Sequence, residues 1–145
     1  MIKYFFDLDY YKDDGCLFRL GTFSCLKNAI KKQKQVENQP GFRDNPNNFK
    51  IVRCGVKFDD NAIVKKSEAK LYCVLLEYEE TIDGEIYDSF FHFGYYATER
   101  EAQEVLEYKK KHFRYGKNHQ DGFLVGLARV DNYNYWSTGF VPWDE

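Results

Sequence analysis

The chain repeats itself. Slid along its own length by about 73 positions, the 145-residue sequence matches itself in residue character. A duplicated unit constrains the fold more than any single motif, because whatever one copy builds the other must also build. Tyr4-Phe5-Phe6-Asp7-Leu8-Asp9-Tyr10 lines up with Tyr72-Cys73-Val74-Leu75-Leu76-Glu77-Tyr78 at a shift of 68. Alternate positions agree, so each segment reads as a strand with one apolar face. Leu17-Phe18-Arg19-Leu20-Gly21-Thr22-Phe23 and Phe90-Phe91-His92-Phe93-Gly94-Tyr95-Tyr96 follow at a shift of 73, each reached through a polar turn holding Asp14-Gly15 or Asp83-Gly84. Each unit therefore opens with a β-hairpin.

A helix follows each hairpin. The second is the better specified: Thr98 and Glu101 form a capping box and Lys109, Lys110 and Lys111 sit near its end, which places it over 98–113. Its counterpart starts near Ser24 and stops before Pro40-Gly41. Third strands come at Phe49-Lys50-Ile51-Val52-Arg53-Cys54 and Phe123-Leu124-Val125-Gly126-Leu127-Ala128, shifted by 74. The expected fold is α+β, a tandem duplication of a β-β-α-β unit packed as one pseudo-twofold domain. The first repeat spans 1–58, a polar connector 59–70, and the second repeat 71–145 with a Trp-rich closure. A three-stranded sheet covered by one helix leaves apolar surface open, so the two units should pack together, either as one extended sheet or as two sheets face to face.

Composition narrows the class. Lysine and arginine number 21 against 23 acids, giving a formal charge of −2, and 43% of residues are hydrophobic. One domain of this size buries enough apolar surface to fold without metal or disulfide. No apolar run reaches the length of a membrane span and the start lacks a leader-like core, so a cytoplasmic protein with no membrane partner is expected. Cys16, Cys25, Cys54 and Cys73 stand too far apart for a paired motif and read as reduced thiols.

The segment Gly41-Phe42-Arg43-Asp44-Asn45-Pro46-Asn47-Asn48-Phe49, with Trp136-Ser137-Thr138-Gly139-Phe140 near the end, resembles a family of small uncharacterised bacterial β-β-α-β proteins. Those carry a Gly-Phe-Arg-Asp-x-Pro-x-x-Phe loop and a closing Trp-x-x-Gly-Phe. Here the loop motif stands only in the first copy and the Trp motif only after the second. The resemblance implies the fold and no activity. Small proteins of this look also resemble immunity proteins of bacterial toxin systems, which implies a protein partner.

Chemistry finds little purchase. Asp7-Leu8-Asp9 resembles the Asp-x-Asp entry of haloacid-dehalogenase-type phosphatases, but Tyr11 replaces the usual Thr and the second copy has Leu75 opposite Asp7. His92, His112 and His119 lack metal-ligand spacing, so neither metal nor cofactor is expected. Cys25, at the start of the first helix, is the one cysteine with an electrostatic reason for reactivity. No phosphate-binding glycine loop and no nucleophile elbow occurs. The reading is of a non-enzymatic protein.

Charge is organised. Glu77, Glu79, Glu80, Asp83, Glu85 and Asp88 occur in one hairpin without any lysine or arginine, and the matching hairpin carries Asp7, Asp9, Asp13 and Asp14 against Lys12. Tyr10, Tyr11, Tyr78 and Tyr87 stand among them. Acidic, tyrosine-rich hairpins suit rapid capture of a basic partner followed by aromatic anchoring. The candidate contact residues are thus Asp9, Tyr11, Asp13, Asp14, Glu77, Glu79, Glu80, Asp83, Glu85, Tyr87 and Asp88, and the expected partner is a cognate toxin with a basic surface, such as a nuclease. Nucleic acid fits less well, because phosphate would be repelled from the aromatic hairpins despite basic runs on the helices. The alternatives are a self-associating regulatory or scaffold domain, with homo-oligomers pairing through edge strands, and a small Asp-dependent phosphatase. The segment from Asn132 to Trp143 reads as core closure over the second helix or as an interface.

Overall fold

Alternating residues on the first strand of each repeat feed two different cores, and this decides the architecture. In the computed structural model, which describes residues 1–12 and 15–140, β1 (Ile2–Tyr11), β2 (Leu17–Phe23), α1 (Leu26–Val36) and β3 (Phe49–Lys57) form the first repeat. The second is β4 (Lys70–Ile82), β5 (Glu85–Tyr96), α2 (Glu99–His112) and β6 (Phe123–Arg129). Each repeat makes its own three-stranded antiparallel sheet, ordered β2-β1-β3 and β5-β4-β6, with the first strand in the centre. The fold is α+β, with two similar β-β-α-β halves.

One face of each sheet takes its helix. Leu8, Tyr10, Leu20 and Phe23 pack with Ala29 and Val36 of α1, and Val74, Leu76 and Phe123 pack with Ala102 and Leu106 of α2. On the opposite faces Phe5, Val56, Leu71, Cys73, Tyr95 and Val130 form a third core that draws on both repeats. The layers run helix, sheet, sheet, helix, so the duplication packs as two sheets face to face. Burying a Phe such as Phe5 contributes about 2–3 kcal/mol. This shared core is therefore a substantial joint.

Local signals explain the elements. Thr98 caps α2 by accepting from the Glu101 amide at 3.2 Å, the N-cap half of the expected capping box, and Glu101 Oε1 accepts from the Thr98 hydroxyl at 3.3 Å. Helix α1 has no side-chain cap of its own. Instead Ser24, just before it, donates its amide and hydroxyl to Asp131 at 2.9 and 2.6 Å, a carboxylate supplied from beyond β6. Each hairpin has a bulge beside a glycine at positive φ, Gly21 (146°) and Gly94 (115°), and the two glycines are 73 positions apart. No helix among the described residues is long and apolar enough to cross a membrane.

Sheet register corrects the alignment of the first strands. Tyr10 faces Phe49 as Leu76 faces Phe123, and Leu8 faces Ile51 as Val74 faces Val125. The equivalent positions are thus 66 apart, two fewer than the sequence match. A two-residue slip keeps the same face inward, so alternation alone does not reveal it. Asp7 is equivalent to Cys73 and Asp9 to Leu75.

The end of the chain crosses back. After β6, Tyr133 packs on Phe23 (5.3 Å between ring centroids), Trp136 stacks on Phe18 (4.3 Å) and Phe140 enters the first core against Phe42 (4.9 Å). The segment covers the first repeat rather than α2. Its Gly139-Phe140 step locks onto Pro40-Gly41: the Phe140 amide donates to the Pro40 carbonyl at 2.9 Å, and a Cβ on Gly139 would meet that same oxygen. The two motifs, distant in sequence, are one contact. Trp143 lies outside the described residues.

Candidate functional site

Strand length creates an arm. Strand β4 pairs with β6 only from Lys70 opposite Arg129 to Leu76 opposite Phe123, but with β5 as far as Ile82 opposite Glu85. Residues 77–90 are thus a two-stranded ribbon extending past the third strand. Its tip is Asp83-Gly84, with φ of 53° and 81°, the geometry that an Asp-Gly hairpin turn favours. In the first repeat β3 follows β1 out to Tyr10, so the first hairpin has no such overhang.

The arm gathers Glu77, Glu79, Glu80, Asp83, Glu85, Tyr87 and Asp88. Directly opposed residues share a face, which puts Glu77 with Phe90, Glu79 with Asp88 and Thr81 with Ile86 on one side, and Tyr78, Glu80, Ile82, Glu85, Tyr87 and Ser89 on the other. Glu79 and Asp88 are like charges in direct opposition, a pairing that costs stability. Among the described residues none of the six carboxylates has an ion-pair partner. Tyr87 donates to Glu85 at 2.8 Å, and Ile82, Ile86 and Tyr87 are exposed, Ile86 by 68%. A shallow groove of about 430 Å³ runs between Glu77, Tyr78, Glu79, Asp88, Ser89 and Phe90. Tyr78 does not stand free at its base, since it stacks on His119 at 3.9 Å.

The first hairpin contributes less than expected. Tyr11 is 41% exposed, but Tyr10 is 1% exposed and packs against Phe42 and Phe49. Asp13 and Asp14 lie outside the described residues. Asp9 is a correction: it is only 6% exposed and points into the joint between the sheets. The physical reason is the register. Its structural counterpart is the interior Leu75, whereas the sequence match had equated it with the exposed Glu77.

The joint holds a polar cluster that sequence reasoning missed. Asp7 accepts from Arg19 Nη2 (2.7 Å), Thr22 Oγ1 (2.7 Å), both contacts of the Tyr95 hydroxyl (2.9 Å each) and the Cys54 thiol (3.5 Å). Thr22 and Tyr95, themselves repeat equivalents 73 apart, meet hydroxyl to hydroxyl at 3.1 Å, marking the pseudo-twofold centre. Arg19 also approaches Asp9 Oδ1 at 3.6 Å, and its guanidinium lies over the rings of Phe90 (5.9 Å) and Tyr95 (5.8 Å). The base of the arm is thereby tied to the first repeat.

Burial sets the protonation of this cluster. Asp9 is pushed up to about 6, mainly by burial and secondarily by Asp7, with Arg19 opposing. His92, whose ring packs on Tyr95 at 4.6 Å, is lowered to about 4 by burial and then by Arg19. Burial, with Asp7 alongside, pushes the Cys54 thiol up to about 12, the reverse of nucleophile activation. The Asp7-x-Asp9 pair is turned inward and Asp7 is occupied by the protein's own donors. Cys25 occupies the N-cap position of α1. His112 packs on Tyr108, and His119 on Tyr78. The missed signal was the asymmetry between copies: two acids in β1 stand where β4 has Cys73 and Leu75.

Compared with protein-family models, curated proteins and solved structures, the chain matches none.

Proposed function

We propose that this protein is a non-enzymatic binding protein, an immunity protein that neutralises a cognate toxin by laying its acidic arm across a basic surface such as the substrate path of a nuclease. The observation that carries the reading is the arm itself, six carboxylates without ion-pair partners among the described residues, on a ribbon that also exposes Ile82, Ile86 and Tyr87. Such a field speeds encounter with a basic partner by tenfold or more at low salt, on the order seen in steered complexes. The aromatic and aliphatic residues then supply contact area. Pairing of two arms in a homo-oligomer is opposed by the same charges, which is why the heterologous partner is the favoured reading. Edge strands so heavily charged are also poor templates for another copy.

The test reverses the charge. Glu79, Glu80, Asp83 and Glu85 changed together to Lys should leave the circular dichroism spectrum and melting temperature near those of the parent and abolish both toxin protection and salt-sensitive capture of a basic partner. Unchanged protection in a folded variant rules out the arm as the binding face. Capture of only the protein itself, as a defined oligomer, would shift the assignment to a self-associating domain.

A further inference from the structure

Two buried polar atoms in the joint lack any hydrogen-bond partner among the described residues: Asp9 Oδ1 and His92 Nε2. They are chemically complementary. His92 Nδ1 accepts the Gly94 amide at 3.2 Å, which fixes the neutral ring with its proton on Nε2. One orphan is thus an acceptor on the first repeat and the other a donor on the second, grouped around Arg19. The charged and titratable groups facing them are Asp7 on β1, Arg19 on β2, Lys50 and Cys54 on β3, Cys73 on β4 and Tyr95 on β5.

We propose that Asp9 and His92 are a compensating acid and base, one from each repeat, that keep the joint, and with it the anchorage of the acidic arm, equally firm across mildly acidic and neutral pH. Burying an acid whose nearest donor, Arg19 Nε, stays 3.6 Å away makes the folded chain hold a proton that the unfolded chain releases. Burying a base without acceptors makes it refuse a proton that the unfolded chain takes. Asp9 holds its proton up to about 6 instead of its ordinary 3.8, so its contribution is full below 3.8 and fades as pH rises to 6. His92 refuses one down to about 4 instead of 6.5, so its contribution is full above 6.5 and fades as pH falls to 4. The windows coincide and the signs oppose. Arg19, over Phe90 at the arm's base, acts electrostatically on both. The proposal is independent of the partner's identity.

A double-mutant cycle in the full chain tests it, with urea unfolding followed from pH 7 to pH 5. The double variant Asp9→Asn/His92→Gln serves as baseline, removing the background of other titrating groups. Relative to it, Asp9→Asn alone should unfold more readily on acidification, its unfolding constant rising about twentyfold, and His92→Gln alone less readily, its constant falling about tenfold. The unmodified chain should track the double variant within a few-fold. Two single variants that slope the same way, or that both track the double variant, overturn the proposal. Should any variant fail to fold, nuclear magnetic resonance titration of the unmodified chain decides: an Asp9 carboxyl midpoint near 6 with a His92 ring neutral down to about 4 supports it. Ordinary midpoints for either residue overturn it.

Discussion

Asp7 and Asp9 lie two residues apart on one face of β1, yet the joint treats them oppositely. Asp7 is met by Arg19, Thr22, Tyr95 and Cys54, whereas the buried Asp9 Oδ1 accepts no hydrogen bond among the described residues and has only Arg19 Nε at 3.6 Å. Truncating Asp7→Ala strips Arg19 of its closest counter-charge and takes from Thr22, Tyr95 and Cys54 the acceptor they share, a loss of about 3–5 kcal/mol by the precedent of broken buried pairs. Asp9→Asn removes a charge that burial disfavours, and at pH 7 it should not lower the urea midpoint. Denaturation of both variants in one buffer checks the contrast; equal losses would mean that the Arg19–Asp9 contact outweighs the burial of Asp9. Lys32 is a second residue decided by context. It is fully buried on α1, donates to the Tyr133 carbonyl at 2.8 Å and is lowered by burial. In sequence it reads as one of a run of helix-surface lysines. The run is legible; which member turns inward to hold the returning chain is not, because its partner lies 101 residues away.

At the scale of elements, the arm is the part of the fold that stability alone would not build. Glu79 and Asp88 oppose each other directly across the ribbon. Changing Asp88→Lys converts that repulsion into an attractive cross-strand pair, expected to stabilise the hairpin by about 0.2–1 kcal/mol. The same change should weaken capture of a basic partner. Thermal melts and association rates measured together should therefore move in opposite directions, and a variant improved in both would detach the arm from binding. The arm's existence was legible in the acid count and the Asp-Gly turn. Its overhang was not, because it depends on β6 starting only at Phe123, opposite Leu76, while β4 continues to Ile82.

The whole molecule is held by exchanges between repeats rather than by two self-sufficient units. The shared core, the Thr22–Tyr95 centre, the Asp131 carboxylate at Ser24 and the strap that ends in Phe140 all cross from one half to the other. Gly139→Ala would place a Cβ against the Pro40 carbonyl at a φ of 82°, so it should cost more than about 1 kcal/mol. It should also loosen Trp136 from Phe18, read as a red shift of tryptophan emission at unchanged far-ultraviolet dichroism. Unaltered emission and melting would show the strap to be dispensable. The sequence by itself determined the duplication, the type and order of the elements, the capping of α2 and the acidity of the second hairpin, because these follow from local periodicity and composition. Only the tertiary structure decided that the sheets face each other, that Asp9 is interior, and that the two glycine-phenylalanine motifs touch. Alternation tolerates a two-residue slip without changing face, and contacts between residues a hundred positions apart leave no local periodic trace.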